Sequence, residues 1–326
     1  MYSHVVGMAL RTGLAPLLVA LVLLLAMGGA ASCGRGAGEE PRAAYSKENP
    51  ANVVATIGMI GDVAARIGGE RVRVTTLMGA GVDPHLYKAS PGDIRTLTGA
   101  DLVLYNGLLL EGKMADVLVR LAAGKPVVAV SERIPEERLM HPDGAHEHAD
   151  PHVWFDVALW MIAAERVRDA LIALDPAGKD VYTANAAAYL EEMRTLDAEV
   201  RAKIAAIPEA KRLLVTAHDA FGYFGRAYGI EVRGIQGIST EAEASLKDIN
   251  TLVDDLVARK VPAVFVESSV PRKTIEALIE GAASRGHTLA IGGELFSDAM
   301  GAPGTPEGTY LGMVRHNVEA IAGALK

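Results

Sequence analysis

Along residues 52–326, short runs of apolar and β-branched residues alternate with stretches in which apolar residues recur every three or four positions. Runs of the first kind are typical of buried strands, and stretches of the second kind are typical of amphipathic helices. The strands predicted by this pattern are 52–57, 71–78, 101–106, 126–130, 212–217, 230–235, 262–268 and 288–293. The helices predicted around them are 60–67, 91–98, 113–123, 220–228, 243–259, 273–285 and 309–325. Such alternation predicts an α/β fold with mostly parallel sheets, repeated in two halves of the chain.

A stretch without strands separates the two halves. Asp175-Pro176-Ala177-Gly178 ends a helix that starts near Asp156, and a second predicted helix runs from Lys179 to about Ile207, before Pro208. Its apolar positions are Tyr182, Ala186, Leu190, Met193, Leu196, Val200 and Ile204. At 1.5 Å per residue, this helix is a rod of roughly 43 Å. One stiff helix joining two lobes predicts that the lobes tilt little and that a ligand binds in the cleft between them.

The first 33 residues have the pattern of a secretory signal. Arg11 precedes an apolar run over residues 14–27, small residues occupy 28–32, and Cys33 follows. Such a run is short for a membrane span, which needs about 20 residues, whereas a charged residue, an apolar run and small residues together are typical of an export signal. We therefore expect an exported protein whose signal peptide is residues 1–32.

Cys33 is the only cysteine in the chain, so it cannot form an internal disulfide. The sequence Ala30-Ala31-Ser32-Cys33 resembles a bacterial lipobox, in which the cysteine is lipidated, although a leucine is usual where Ala30 stands. Ordinary cleavage with an incidental cysteine is the alternative. Residues 33–51, rich in Gly, Pro and charge, read as a flexible tether. The body then divides into an N-terminal lobe (52–178), a linker helix (179–208) and a C-terminal lobe (209–326).

The formal net charge of -8 argues against nucleic-acid binding, because phosphate recognition needs a basic face. Half of the residues are hydrophobic, which fits a folded globular body. We expect a monomer that binds no nucleic acid.

Four candidate metal ligands lie in loops, most of them near predicted strand ends, where open α/β sheets bind their ligands. His85 and His152 each end an Asp-Pro-His tripeptide, His218 follows the strand 212–217, and Asp298 follows the strand 288–293. Imidazole and carboxylate groups together suit Zn²⁺ and Mn²⁺. Spacing alone leaves another role open, because histidines at strand ends commonly cap helices or bond loops.

Longer motifs narrow these alternatives. The two Asp-Pro-His loops, TANAAAYLEEM (183–193), VTAHDAFGYFGRAYGI (215–230) and GGELFSDAMG (292–301) resemble the metal-binding receptors of ABC importers, the TroA- and ZnuA-like cluster A solute-binding proteins. The resemblance extends from about residue 52 to the C-terminus. It implies two (β/α)₄-type lobes joined by one long helix, with one metal ion in the cleft.

The resemblance also implies a function and a ligand set. It assigns His85, His152, His218 and Asp298 as metal ligands, zinc or manganese as the transported ion, and an ABC permease as the partner. It implies no enzymatic activity and a periplasmic or cell-surface location. Some family members have Glu at the third ligand position and are associated with manganese, so His218 favours zinc slightly.

Other residues near the predicted site have open roles. His141, His146 and His148 form a short His-rich tract that is either an accessory zinc-binding segment or a solvated loop. Asp83, Asp150 and Glu267 are candidates to orient the imidazoles, and we expect Trp154 and Phe155 to pack beneath the site.

Two rival functions are a zinc hydrolase of the cell envelope and an adhesin-type lipoprotein. The chain has no HExxH and no GxSxG motif, and four protein ligands would close the site to a catalytic water. These observations disfavour the hydrolase, whereas nothing in the sequence separates an adhesin from a receptor.

Overall fold

The computed structural model describes residues 44–141 and 148–326. In the N-terminal lobe, four parallel strands form one sheet in the order β2-β1-β3-β4. These strands are β1 (Ala51–Ala55), β2 (Val72–Thr76), β3 (Leu102–Tyr105) and β4 (Val127–Ala129). The helices between them are α1 (Gly58–Gly68), α2 (Pro91–Gly99) and α3 (Ala115–Ala122).

The C-terminal lobe repeats the alternation. Its strands pair in parallel as β5 with β6 and β7 with β8, and β5 also contacts β7. The strands are β5 (Leu213–His218), β6 (Glu231–Gln236), β7 (Ala263–Glu267) and β8 (Ala290–Leu295). The helices of this half are α6 (Gly222–Tyr228), α7 (Leu246–Ala258), α8 (Lys273–Ser284) and α9 (Tyr310–Leu325).

Two helices lie between the sheets, α4 (Val157–Leu174) and the long α5 (Lys179–Ala205). The Asp156 side chain caps α4 by accepting from the backbone N–H groups of Ala158 and Leu159. With 27 residues, α5 is about 40 Å long. All seven predicted apolar positions of α5 are buried, and Tyr189 joins them. The predicted fold class, two α/β lobes with parallel sheets joined by one long helix, is confirmed.

Element ends differ from the predictions by a few residues, for local reasons. The helix predicted from residue 243 starts at Leu246, because Ser245 is its N-cap and accepts from Asp248 N–H. The helix predicted from residue 113 starts with a 3₁₀ turn at Gly112–Met114 before α3. Capping residues set such ends, and hydrophobic periodicity does not report them.

The buried core passes from one lobe to the other along α5. This helix packs on α1, on α4 and on α9 of the C-terminal lobe. A second, smaller core lies within the C-terminal lobe and includes Val253, Val264 and Leu278. Because one continuous core spans both lobes, residues 44–326 form a single compact unit.

The segment before β1 contacts the N-terminal lobe. Arg71 donates to the backbone oxygen of Tyr45, and Lys47 pairs with Glu70 at 2.6 Å. The predicted signal peptide, Cys33 and the first part of the predicted tether lie outside the described residues. Within 44–141 and 148–326, no helix has both the length and the apolar character that a membrane span needs.

A largely buried ion pair joins Asp175, at the end of α4, to Arg71, the residue before β2. The Asp175 side chain is 4% exposed and accepts from Arg71 Nε at 2.8 Å and from Tyr182 Oη at 2.7 Å. Removing one partner of a buried ion pair is costly, because the remaining charge stays out of water without compensation.

We expect Arg71→Met to lower the free energy of unfolding by about 2 kcal/mol, measured by urea denaturation. The methionine keeps the apolar stem but leaves the Asp175 carboxylate with Tyr182 alone. Arg194→Met is the matched control, because Arg194 is 57% exposed in its pair with Glu191 and should matter by less than about 0.5 kcal/mol. Equal effects of the two substitutions would contradict this account.

Candidate metal site

Three imidazoles and one carboxylate meet where the two lobes face each other. His218 is the last residue of β5, and Asp298 lies three positions after the end of β8. His85 lies in the loop that follows β2, and His152 directly precedes a 3₁₀ turn at Val153–Phe155. The sequence analysis named these four residues, and the structure brings all four together.

The four side chains are buried and point their ligand atoms at one centre. The Nε2 atoms of His85 and His152 are 3.3 Å apart. Asp298 Oδ1 is 3.3 Å from His152 Nε2, and Asp298 Oδ2 is 3.2 Å from His218 Nε2 and 3.7 Å from His85 Nε2. The ligand atoms of all four residues lie within 4.8 Å of one another.

These separations fit a small divalent ion. A tetrahedral site with bonds of about 2.0 Å places neighbouring ligand atoms about 3.3 Å apart. Within the described residues, His218 Nε2 and both oxygens of Asp298 are buried without a hydrogen-bond partner. Buried polar atoms without a partner cost free energy unless a ligand satisfies them. The donor set therefore suits a metal cation, with the carboxylate able to bind through one oxygen or both.

A carboxylate lies beside Nδ1 and the backbone N–H of two of the histidines. Asp150 Oδ1 lies 2.7 Å from His152 Nδ1 and accepts from the His152 backbone N–H at 2.9 Å. Glu267 Oε2 lies 2.6 Å from His218 Nδ1 as an ion-pair contact, and Oε1 accepts from the His218 backbone N–H at 2.8 Å. A carboxylate at Nδ1 favours the proton there, so each Nε2 lone pair faces the centre.

The same carboxylates change the proton affinity of the site. Burial lowers the pKa of His152, but Asp150 and Asp298 outweigh it and raise that pKa to about 9. Burial also lowers the pKa of His218, but Glu267 and Asp298 outweigh it and raise that pKa well above its usual value. The pKa of Asp298 lies well below its usual value, since the two imidazoles outweigh the effect of burial. In the metal-free site, protons on the imidazoles thus balance the carboxylates.

His85 differs from the other two imidazoles. Burial lowers its pKa to about 4, so it is neutral near pH 7. Within the described part of the chain, Asp298 is the only carboxylate within 4.0 Å of its ring nitrogens. Asp83, a candidate to orient the ring, instead accepts from the His85 backbone N–H at 2.8 Å.

Aromatic side chains pack next to the site. The Trp154 ring packs edge-on to the His152 ring at a centroid distance of 5.3 Å, and its Nε1 donates to the Ser297 backbone oxygen at 3.1 Å. Phe155 stacks on Phe221 at 4.2 Å. Both Trp154 and Phe155 are buried. Trp154 packs against a ligand, as the sequence analysis expected, whereas the ring contacts of Phe155 are with Trp154 and Phe221. Trp154 also ties the His152 segment to the Asp298 segment.

Sequence reasoning missed Asn106, which follows β3. Its Nδ2 donates to the Pro151 backbone oxygen at 3.0 Å, while its backbone N–H donates to the buried Glu111 at 2.7 Å. Asn106 thereby supports the segment that contains His152. Its position after a strand was the available signal, but an asparagine there is common in turns without any role at a site.

Of the His-rich tract, the structure describes His141 and His148, and neither lies in the site. His141 Nε2 lies 3.0 Å from Glu136 Oε1, and His148 is exposed. His146 lies outside the described residues. In the part of the chain that the structure describes, the only cluster of metal-binding groups is the one formed by His85, His152, His218 and Asp298.

Comparison with known proteins identifies the relatives of this chain. Residues 53–324 match the family model described as "ZnuA: Zinc-uptake complex component A periplasmic". The manganese-binding lipoprotein MntA of Bacillus subtilis (strain 168) is 51% identical over 284 residues, 87% of this chain and 92% of the relative. The metal ABC transporter substrate-binding lipoprotein ScbA of Streptococcus cristatus is 33% identical over 316 residues, 94% of this chain and 97% of the relative.

A solved structure shows the same architecture. The periplasmic zinc binding protein TroA from Treponema pallidum superimposes with a TM-score of 0.83 at 51% identity, covering 85% of this chain and 99% of that chain. The family match spans both lobes and the whole cluster of buried imidazoles and carboxylate. The chain therefore belongs to the family of periplasmic zinc-uptake components, the substrate-binding proteins of metal importers.

Proposed function

We propose that this protein captures one divalent transition metal ion, zinc or manganese, and delivers it to the permease of an ABC importer. The observation that carries the proposal is the buried set of four ligand atoms, spaced for a small cation. The names of the relatives, which include a metal ABC transporter lipoprotein, agree with it. The metal is the cargo of the protein.

In this proposal His85 and His152 from the N-terminal lobe, and His218 and Asp298 from the C-terminal lobe, ligate the ion together. Binding then ties the lobes through the metal. The continuous core along α5 restricts the lobes to a small tilt, so loop movement has to provide most of the opening. The metal-loaded form is the one that docks on the permease.

The donor set favours zinc slightly over manganese. Zn²⁺ binds nitrogen-containing sites more tightly than Mn²⁺ in the Irving–Williams order, and three imidazoles increase that preference. The names of the similar proteins include one zinc-binding and one manganese-binding member, each 51% identical to this chain. Availability of the two ions outside the cell then decides which one is carried.

We further propose that the protein is not an enzyme. A catalytic zinc site keeps a coordination position for water, whereas four protein ligands close this one. We propose a signal peptide over residues 1–32 and lipidation of Cys33. The mature protein would then be a monomer that the lipid anchors to the membrane, on its extracytoplasmic side. The names of two relatives include the word lipoprotein. The lobe boundaries at residues 178 and 208 belong to the same proposal.

The first test removes one ligand. Asp298→Ala should weaken zinc binding by at least about 100-fold in isothermal titration calorimetry with chelator competition, because the site loses its only negative ligand. His218→Ala should act similarly. The matched control is His287→Ala, since the His287 ring contacts the Val261 backbone oxygen at 2.7 Å and is not part of the cluster. Unchanged affinity in the two site variants would refute the ligand assignment.

The second test varies pH. Because carboxylates raise the pKa of His152 to about 9, an incoming metal has to displace a proton at any pH below that value. The dissociation constant should therefore rise as pH falls from 8 to 6, by about tenfold per pH unit for each proton displaced. Calorimetry in buffers of different ionisation enthalpy counts the released protons. Zinc binding without proton release would contradict this prediction.

The third test concerns the His-rich tract, which we propose as an accessory zinc-binding segment. A variant with asparagine at 141, 146 and 148 should keep the affinity of the main site, because His85, His152, His218 and Asp298 already supply four ligands. It should lose any additional weakly bound zinc, measured by elemental analysis after equilibrium dialysis. If zinc stoichiometry equals that of the unchanged protein, the tract has no accessory role.

A further inference from the structure

His85 depends on its loop for its position more than the other ligands do. His152 and His218 each have a carboxylate within 2.7 Å of Nδ1, and His85 has none among the described residues. Its loop runs over residues 77–90. The far end of this loop is anchored on the N-terminal lobe, where Tyr87 donates to Asp93 at 2.8 Å and Ser90 forms a capping box with Asp93.

The tip of this loop is fastened to the opposite lobe. Asp83 Oδ1 accepts from the His85 backbone N–H at 2.8 Å, and Asp83 Oδ2 accepts from Thr240 Oγ1 at 2.6 Å. Thr240 belongs to the segment 237–245 of the C-terminal lobe, which connects β6 to α7. The Asp83 carboxylate thus binds the backbone of His85 through one oxygen and Thr240 of the other lobe through its second oxygen.

A second contact joins segment 237–245 to a different part of the N-terminal lobe, the 3₁₀ turn Gly112–Met114, and it is weaker. Lys113 Nζ lies 2.9 Å from Glu241 Oε2, but the two side chains are 37% and 46% exposed. Water and salt screen such a pair, and its two long side chains lose conformational entropy when they meet. The Thr240 hydroxyl is half-buried and donates to a charged acceptor, and hydrogen bonds of that kind are among the stronger ones.

We propose that Thr240 is a positioning residue for metal binding, acting on His85 through Asp83. While segment 237–245 lies against the His85 loop, this hydrogen bond keeps the His85 imidazole at the centre of the site. When the segment moves away, Asp83 loses its partner on the C-terminal lobe, and His85 becomes the first ligand to leave the ion. Through Thr240, contact between the two lobes would then determine whether His85 binds the metal ion. The inference rests on the proposed function.

The experiment compares Thr240→Val, Thr240→Ser and Ser239→Ala in the full-length protein. Valine keeps the shape and removes the hydroxyl, whereas serine keeps the hydroxyl. Ser239→Ala removes a hydroxyl from the same segment that accepts from the backbone N–H of Glu241 and does not reach the other lobe. Zinc release into excess chelator should be about fivefold faster in Thr240→Val and unchanged in the other two.

A second readout separates positioning of a ligand from general loosening of the fold. With cobalt(II) in place of zinc, Thr240→Val should show an altered visible absorption spectrum, because the ligand set around the ion changes, while Thr240→Ser should match the unchanged protein. An unaltered cobalt spectrum in Thr240→Val would overturn the inference, as would equally fast release from the serine variant. If the unchanged protein binds neither zinc nor cobalt, the proposed function fails instead.

Discussion

Three imidazoles and a carboxylate are held together in a space from which water is largely excluded, and most of the surrounding structure serves that arrangement. Such groups lose their interactions with water on burial, and hydrogen bonds to neighbours or bonds to a cation have to replace those interactions. Asp150 and Glu267 supply part of that compensation through Nδ1 and the backbone of His152 and His218. The remaining lone pairs face one another at distances suited to a metal ion, so the site is fully compensated only when a cation is present.

A site of this kind needs lobes that do not drift apart. The chain passes from one lobe to the other through α4 and α5, and the core continues along α5 into α9. Ligand atoms from the two lobes then meet at 3.3 Å between His152 Nε2 and Asp298 Oδ1 and at 3.7 Å between His85 Nε2 and Asp298 Oδ2. A scaffold with one continuous core preorganises the site, which lowers the entropy lost on binding.

The three imidazoles are not equivalent in this arrangement. His152 and His218 are each fastened by a carboxylate from their own lobe, whereas His85 is positioned by its main chain and, through Asp83, by a threonine of the other lobe. Two ligands are thus held within their own lobe, and the position of the third depends on contact between the lobes. That asymmetry suits a carrier, because a receptor has to hold its ion during transit and also release it at the membrane.

The sequence by itself determined the strands, the helices, the long linker and the four residues of the cluster. Apolar periodicity is a local signal, and the motifs around His85, His152, His218 and Asp298 are short enough to be recognised in one chain. Only the tertiary structure decided which carboxylate meets which imidazole and that Asp83 turns its second oxygen to a hydroxyl 157 positions away. Contacts of that kind depend on how separate elements pack against each other. Residue types and their spacing along a short stretch of chain do not reveal that packing.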